Sequence, residues 1–145
     1  MTAKRYVLLD TNFLLIPGRF GVDIFAEIDA ICDFPYRLCL LKGSLRELEA
    51  IASGAGSRKQ SGRDRSAASL GLELLKSKNL TIIDDSPAEG FDASASVDDR
   101  ILLFALKRGA IVATQDGALK RRLREAGIPV IVLRQLSHLA LEGFV

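Results

Sequence analysis

Tyr6-Val7-Leu8-Leu9-Asp10-Thr11-Asn12 decides the fold class of this chain. Four apolar, β-leaning residues stop abruptly at an acid and two polar residues, as a buried parallel strand does at the edge of its sheet. Beyond the Pro17-Gly18 break, Val22 to Ile31 carries apolar residues at 22, 24, 25, 28 and 31 on one helical face. Arg37 to Leu41 reads as a second strand, and Lys42-Gly43-Ser44 opens a helix containing Leu45, Leu48 and Ile51. Ser53 to Ser66, rich in Gly, Ser, Arg and Lys, reads as a loop or a frayed helix start. A helix over Ala67 to Leu75, a third strand over Leu80 to Ile83 and a loop from Asp84 to Ala95 follow. Val97 to Lys107 reads as an apolar helix, and Ala110 to Ala113 as a fourth strand. Gly117 to Ala126 reads as a basic helix closed by Gly127, and Pro129 to Leu133 as a fifth strand. Parallel strands need crossover connections, so this alternation predicts a three-layer α/β/α fold around a central parallel five-stranded sheet. A length of 145 residues fits one domain over 1–145.

Hydrophobic residues make up 48% and charged residues 26% of the chain, which is soluble globular usage and excludes a fibrous or disordered class. The longest apolar runs, Ile101 to Leu106 and Ile128 to Leu133, fall far short of the roughly 20 residues that span a bilayer. Met1-Thr2-Ala3-Lys4-Arg5 leads straight into the first strand without a signal-peptide pattern, so a cytoplasmic location and no membrane association are expected. Cys32 and Cys39 sit among apolar neighbours and read as small buried hydrophobes rather than as a disulfide or redox pair. The net charge of +2 does not by itself indicate a polyanion partner. Its distribution is more informative, with basic runs at Arg58, Lys59, Arg63 and Arg65, at Lys107 and Arg108, and at Lys120, Arg121, Arg122 and Arg124. Each run alone is what a solvated helix face shows. Together with separate acidic zones they suit a polyanion substrate brought to a cation.

In such sheets ligands bind beyond the carboxyl ends of the strands. Asp10 directly follows the first strand, Glu47 lies early in the helix after the second, and Asp116 comes three residues after Ala113. Asp98, early in the helix after the third strand, is expected at the same edge. Each acid also has a purely structural explanation: Asp10 and Asp116 as caps, Ser44-Leu45-Arg46-Glu47 as a capping box, and Asp98 in a first helical turn. Capping does not require all four at one edge, where their repulsion would raise pKa values and reduce stability. A hard divalent ion relieves that repulsion and takes oxygen ligands, so Mg2+ or Mn2+ fits and zinc does not. The one histidine, His138, has no ligand-like partner nearby in the sequence.

These blocks resemble the PIN-domain nucleases. The resemblance rests on Val7-Leu8-Leu9-Asp10-Thr11-Asn12, Ser44-Leu45-Arg46-Glu47-Leu48, Val97-Asp98-Asp99-Arg100-Ile101-Leu102, and Ala113-Thr114-Gln115-Asp116 leading into Leu119-Lys120-Arg121-Arg122-Leu123. It covers nearly the whole chain and implies an α/β/α PIN-like fold, Mg2+- or Mn2+-dependent hydrolysis of RNA, and a homodimer. By match, Asp10, Glu47, Asp98 and Asp116 take the catalytic and metal-holding positions. Asn12 and Thr114 match supporting residues, and Asp99 joins them as a further candidate. The doubled Asp98-Asp99 and the ending Gly127-Ile128-Pro129-Val130 are more similar to archaeal members related to rRNA-processing nucleases than to bacterial toxins. The partner is then either an antitoxin or a ribosome-biogenesis factor. Gly117-Ala118 departs from toxin members that carry a further acid there, which limits the site to four acids.

Arg58, Lys59, Arg63 and Arg65 are the candidates for holding an RNA backbone. The apolar stretch from Phe20 to Phe34 is a candidate dimer interface whose ordinary role would be to cover the sheet. A phospho-receiver module would use Asp84 or Asp85 after the third strand and a lysine after the fifth, where this chain has Leu133-Arg134. A catalytically silent PIN-like module that binds RNA or protein is the other alternative.

Overall fold

A computed structural model of the chain describes residues 4–54 and 62–143. Arg58 and Lys59 lie outside the described residues. Buried parallel strands and amphipathic helices alternate as the apolar pattern requires: β1 (Arg5–Leu9), α1 (Ile16–Phe20), α2 (Ile24–Ile31), β2 (Tyr36–Leu41), α3 (Lys42–Ser53), α4 (Gly62–Lys76), β3 (Thr81–Ile83), α5 (Val97–Arg108), β4 (Ile111–Ala113), α6 (Gly117–Glu125), β5 (Val130–Arg134) and β6 (His138–Glu142). Short 3-10 turns occupy Thr11–Leu15 and Pro87–Glu89.

The sheet order is β3-β2-β1-β4-β5-β6, with β1 to β5 parallel and β6 antiparallel to β5. The expected parallel five-stranded sheet is therefore present, and a sixth, antiparallel strand closes its edge. That hairpin turns through Gln135, Leu136 and Ser137, and the first two have positive φ, a primed turn geometry that ordinarily carries Asn-Gly. With neither Gly nor Asn there, the turn leaves no signal in the sequence.

Side chains alternate across the sheet and build two cores. Val7, Leu9, Leu40, Ile111, Ala113 and Ile131 face a layer made by the 3-10 turn after β1, α1, α2, α3 and α4. Leu8, Cys39, Leu41, Val112, Val130 and Val132 face α5 and α6. Within the stretch from Phe20 to Phe34, Ile24, Phe25 and Ile28 are buried in the first core and Phe20, Ile31 and Phe34 pack against it, so this stretch covers the sheet.

Two sequence expectations shift. The Pro17-Gly18 break is helical, because proline is tolerated in a first helical turn, and Gly18 lets α1 approach Ala67 of α4 so closely that a Cβ would sit 2.5 Å from its Cα. The segment read as a loop or frayed start up to Ser66 contains the first turn of α4, with Asp64 ion-paired to Arg19.

Candidate active site

The strand order reverses at β1, which has β2 on one side and β4 on the other, and the crevice beyond such a switch is where open α/β sheets take ligands. Asp10 is the first residue past β1, and its amide extends the ladder by donating to the Ala113 carbonyl at 2.9 Å. Its side chain is only 5% exposed. Oδ1 accepts from the Thr11 amide at 2.8 Å, so Asp10 caps the turn that follows, while Oδ2 accepts from Thr114 Oγ1 at 2.7 Å. Burial pushes this carboxyl above the ordinary value of 3.8; the bonds from Thr114 and Thr11 draw it down, and the charges of Asp98 and Asp116 push it up again.

The end of β4 supplies the facing wall. Thr114 is fully buried and serves both neighbours: its hydroxyl donates to Asp10 and accepts from the Asp116 amide at 3.0 Å. Asn12 Oδ1 accepts from the Gln115 amide at 3.1 Å and lies 3.5 Å from Thr114 Oγ1. Gln115 Nε2 returns a bond to the Asn12 carbonyl at 2.6 Å. The two strand ends that carry Asp10 and Asp116 are thus laced together by Asn12, Thr114 and Gln115, the last of which the sequence pattern did not single out. Asp116 caps α6 through Oδ1, which accepts from the Leu119 amide at 3.0 Å. The capping roles of Asp10 and Asp116 are therefore real, and each occupies Oδ1.

Glu47 is different. The capping box expected at Ser44 does not form, because α3 starts two residues earlier at Lys42, its N-cap Leu41 makes no side-chain bond, and the buried Ser44 hydroxyl has no partner among the described residues. Glu47 stands more than a turn into the helix with its carboxylate reaching solvent at the crevice. Local desolvation raises its pKa above 4.5, followed by the charges of Asp10 and Asp98, against a lowering by Arg100. Asp98 lies in the first turn of α5, where Ser96 is the cap. Its pKa rises above 3.8 through desolvation and the charge of Asp116, opposed by Arg122 and raised further by Asp99. The charges of Asp98 and Asp116 act on Asp10, those of Asp10 and Asp98 on Glu47, and that of Asp116 on Asp98, so the four carboxylates share one edge of the sheet. Asp99 turns away from it to bond Arg122 of α6 at 2.8 Å, which holds its carboxyl below the ordinary range.

Among the described residues no three such side chains are already drawn to metal-ligating distance. Like charges repel, and Mg2+-type ions are held through one or two carboxylates with several waters retained. The donor set is all oxygen, and the chemistry of these residues fits a hard divalent cation. His138 opens β6 and meets Ser137 Oγ at 3.0 Å, while both cysteines are free and buried, with burial pushing the Cys32 and Cys39 thiols up to about 11 and about 12. Arg63 and Arg65 lie on the first turn of α4, where Arg63 donates to the Arg19 carbonyl at 3.0 Å and Arg65 rests over Gly54 at the end of α3.

A partly buried ion pair that sequence reading missed lies beside these acids. Asp85, 7% exposed, accepts from Arg100 Nη1 at 3.0 Å and from the Gly43 amide at 3.2 Å, and Arg100 Nη2 donates to the Ala95 carbonyl at 2.9 Å. Nothing in the local pattern pairs residues 43, 85 and 100. Asp85, buried and paired with arginine, lacks the exposed acceptor carboxylate that a phospho-receiver would need. Asp84 is exposed and accepts from the Ser86 amide.

A doubly wound α/β protein with four carboxylates over its strand-order switch is the class these features define. The chain belongs to the PIN-domain nuclease family: the family model described as PIN like domain matches residues 7–136. It is 31% identical over 140 residues to Ribonuclease VapC4 of Methanocaldococcus jannaschii, covering 96% of this chain and 98% of that protein. It is 27% identical over 139 residues to Ribonuclease VapC9 of Archaeoglobus fulgidus, covering 95% and 90%. In fold it is similar to a solved structure of the PIN domain endonuclease Utp24, with a TM-score of 0.71 at 23% identity over 97% of this chain and 92% of that one.

Proposed function

We propose that this protein is an endoribonuclease that hydrolyses RNA phosphodiester bonds at the crevice formed by Asp10, Glu47, Asp98 and Asp116, with Mg2+ or Mn2+ as cofactor. The observation that supports this reading is the gathering of four carboxylates beyond the switch point, with Asp10, Glu47 and Asp98 each raised in part by the charge of another, in a chain whose relatives are named ribonucleases. A divalent cation bound there supplies positive charge to the phosphoryl group and makes water a better nucleophile. Asp10, Asp98 and Asp116 would hold it, and the bond from Thr114 to Oδ2 would orient Asp10 for that task. Glu47, whose carboxylate takes no hydrogen bond among the described residues, would either hold the ion through a water or orient the attacking water and accept its proton. Arg63 and Arg65, with Arg58 and Lys59, would hold the phosphate backbone by contacts that weaken with salt. An antitoxin-held toxin and an RNA-processing enzyme with a ribosome-biogenesis partner would share this chemistry, and neighbouring genes discriminate between them.

The test is cleavage of labelled RNA by wild-type and Asp10→Asn protein with Mn2+, Mg2+ or EDTA. Wild-type cleavage that needs metal should fall by about a hundredfold or more in Asp10→Asn, as removal of a single strong charge contribution does. Equal activity of the two proteins would mean a contaminating nuclease. No cleavage of any RNA by either would favour a binding module.

A further inference from the structure

Arg100 sits two residues after Asp98 and is the cation whose charge draws the Glu47 carboxyl down, yet it bonds neither acid. Two of its nitrogens are taken from the other side, Nη1 by Asp85 and Nη2 by the Ala95 carbonyl. The guanidinium is packed against the first turn of α3: a Cβ on Gly43 would lie 2.7 Å from Asp85 Oδ2 and 3.3 Å from Arg100 Nη1. Glycine at 43 is what makes room for the pair. Gly43 and Glu47 are four residues apart on one helix, and such positions are neighbours about 5–6 Å apart on its surface. The arginine is therefore parked one helical turn from a carboxylate that accepts no hydrogen bond among the described residues.

An arginine is a strong, bidentate partner for a carboxylate. Released from Asp85, it would be free to turn toward Glu47 and would neutralise it as a cation does. We propose that Asp85 is a positioning residue of the site: through its bonds to Arg100 and the Gly43 amide it holds the guanidinium off Glu47, and so keeps that carboxylate free to serve a divalent ion. This rests on the reading of the four acids as a metal site and adds a residue to it. Outer partners of this kind typically change metal affinity by roughly 10- to 100-fold when removed.

The experiment is Mn2+ affinity, read by electron paramagnetic resonance of free Mn2+, for wild type, Asp10→Asn, Asp85→Asn and the double variant Asp85→Asn/Arg100→Met, each checked for folding by circular dichroism. Asp85→Asn keeps the side-chain shape and frees the arginine, and its Mn2+ Kd should rise roughly tenfold. Removing the arginine as well should bring affinity back to within about twofold of wild type, and the double variant leaves no uncompensated buried charge. Asp85→Ser, which retains an acceptor for the Gly43 amide, serves at the same position should Asp85→Asn not fold. Wild-type affinity in folded Asp85→Asn or Asp85→Ser overturns the proposal, and so does a double variant no better than the single, since a merely structural pair gives no rescue. If wild type binds no Mn2+, or Asp10→Asn binds it equally well, the metal-site reading itself fails and takes this inference with it. A D10N-sensitive site that is indifferent to position 85 removes only the inference.

Discussion

Thr114 has one hydroxyl proton, and the 2.7 Å bond to Asp10 Oδ2 claims it, leaving the oxygen's lone pairs for the Asp116 amide. Replacing the hydroxyl by a methyl group of similar shape removes both bonds and leaves a buried carboxylate oxygen without its donor. Thr114→Val should therefore lose about 1–3 kcal/mol in urea unfolding, whereas Thr114→Ser, which keeps the hydroxyl, should stay within about 1 kcal/mol of wild type. Equal losses in the two would mean that packing, not the hydrogen bond, fixes this residue. The positions of Asp10 and Asp116 were legible in the sequence because a carboxylate directly beyond a buried apolar strand has few other places to be. Glu47 was legible as to edge but not as to role: Ser-x-x-Glu is written identically inside a helix and at its cap, and only the start of α3 at Lys42 separates the two. The pairing of Asp85 with Arg100 and with the Gly43 amide was illegible, since residues 43 and 85 are brought together only by the pairing of β2 with β3.

The elements followed from periodicity where apolar runs were long, and β1 to β5 lie within one or two residues of their expected bounds. The hairpin from β5 to β6 escaped because its turn is made from unsuitable residues. Ser137 donates to the Arg134 carbonyl at 3.1 Å across Gln135 and Leu136, which hold φ values of 53° and 54°. Side chains with a Cβ are disfavoured there by roughly 1–2 kcal/mol per residue, and Leu136 is 60% exposed, so little packing opposes its replacement. Gln135→Asn with Leu136→Gly, the residues such turns prefer, should raise stability by about 1 kcal/mol or more. Chemical denaturation reads this directly. A loss instead would show that the exposed leucine is stabilised by something other than the turn, and its contacts would then need explaining. Glu142, which closes β6, pairs with Arg124 of α6 and Arg134 of β5, so the edge strand also anchors the last helix.

At the scale of the molecule, the chain carries two populations of carboxyls with opposite effects on stability. Asp84, Asp92, Asp99 and Glu142 have pKa values lowered by hydrogen bonds, so the stability they add is complete above their unfolded values of 3.8 and 4.5 and is lost only as pH falls through the lower folded values. They contribute no slope near neutrality. Asp10, Glu47 and Asp98 are raised, chiefly by desolvation, so the folded protein binds their protons more tightly than the unfolded chain does. Their contribution is fully present below 3.8 and 4.5 and is lost as pH rises through the raised folded values. In EDTA, the melting temperature should therefore fall as pH rises from the unfolded values through the raised folded values of these three carboxyls. Saturating Mn2+ should flatten or reverse that slope, because a cation that displaces protons from its ligands binds more tightly as pH rises. Asp10→Asn should show a shallower slope in EDTA and little response to Mn2+. An identical slope with and without metal in the wild type would mean that the crevice acids repel one another without holding an ion, and the catalytic proposal would have to be withdrawn with it.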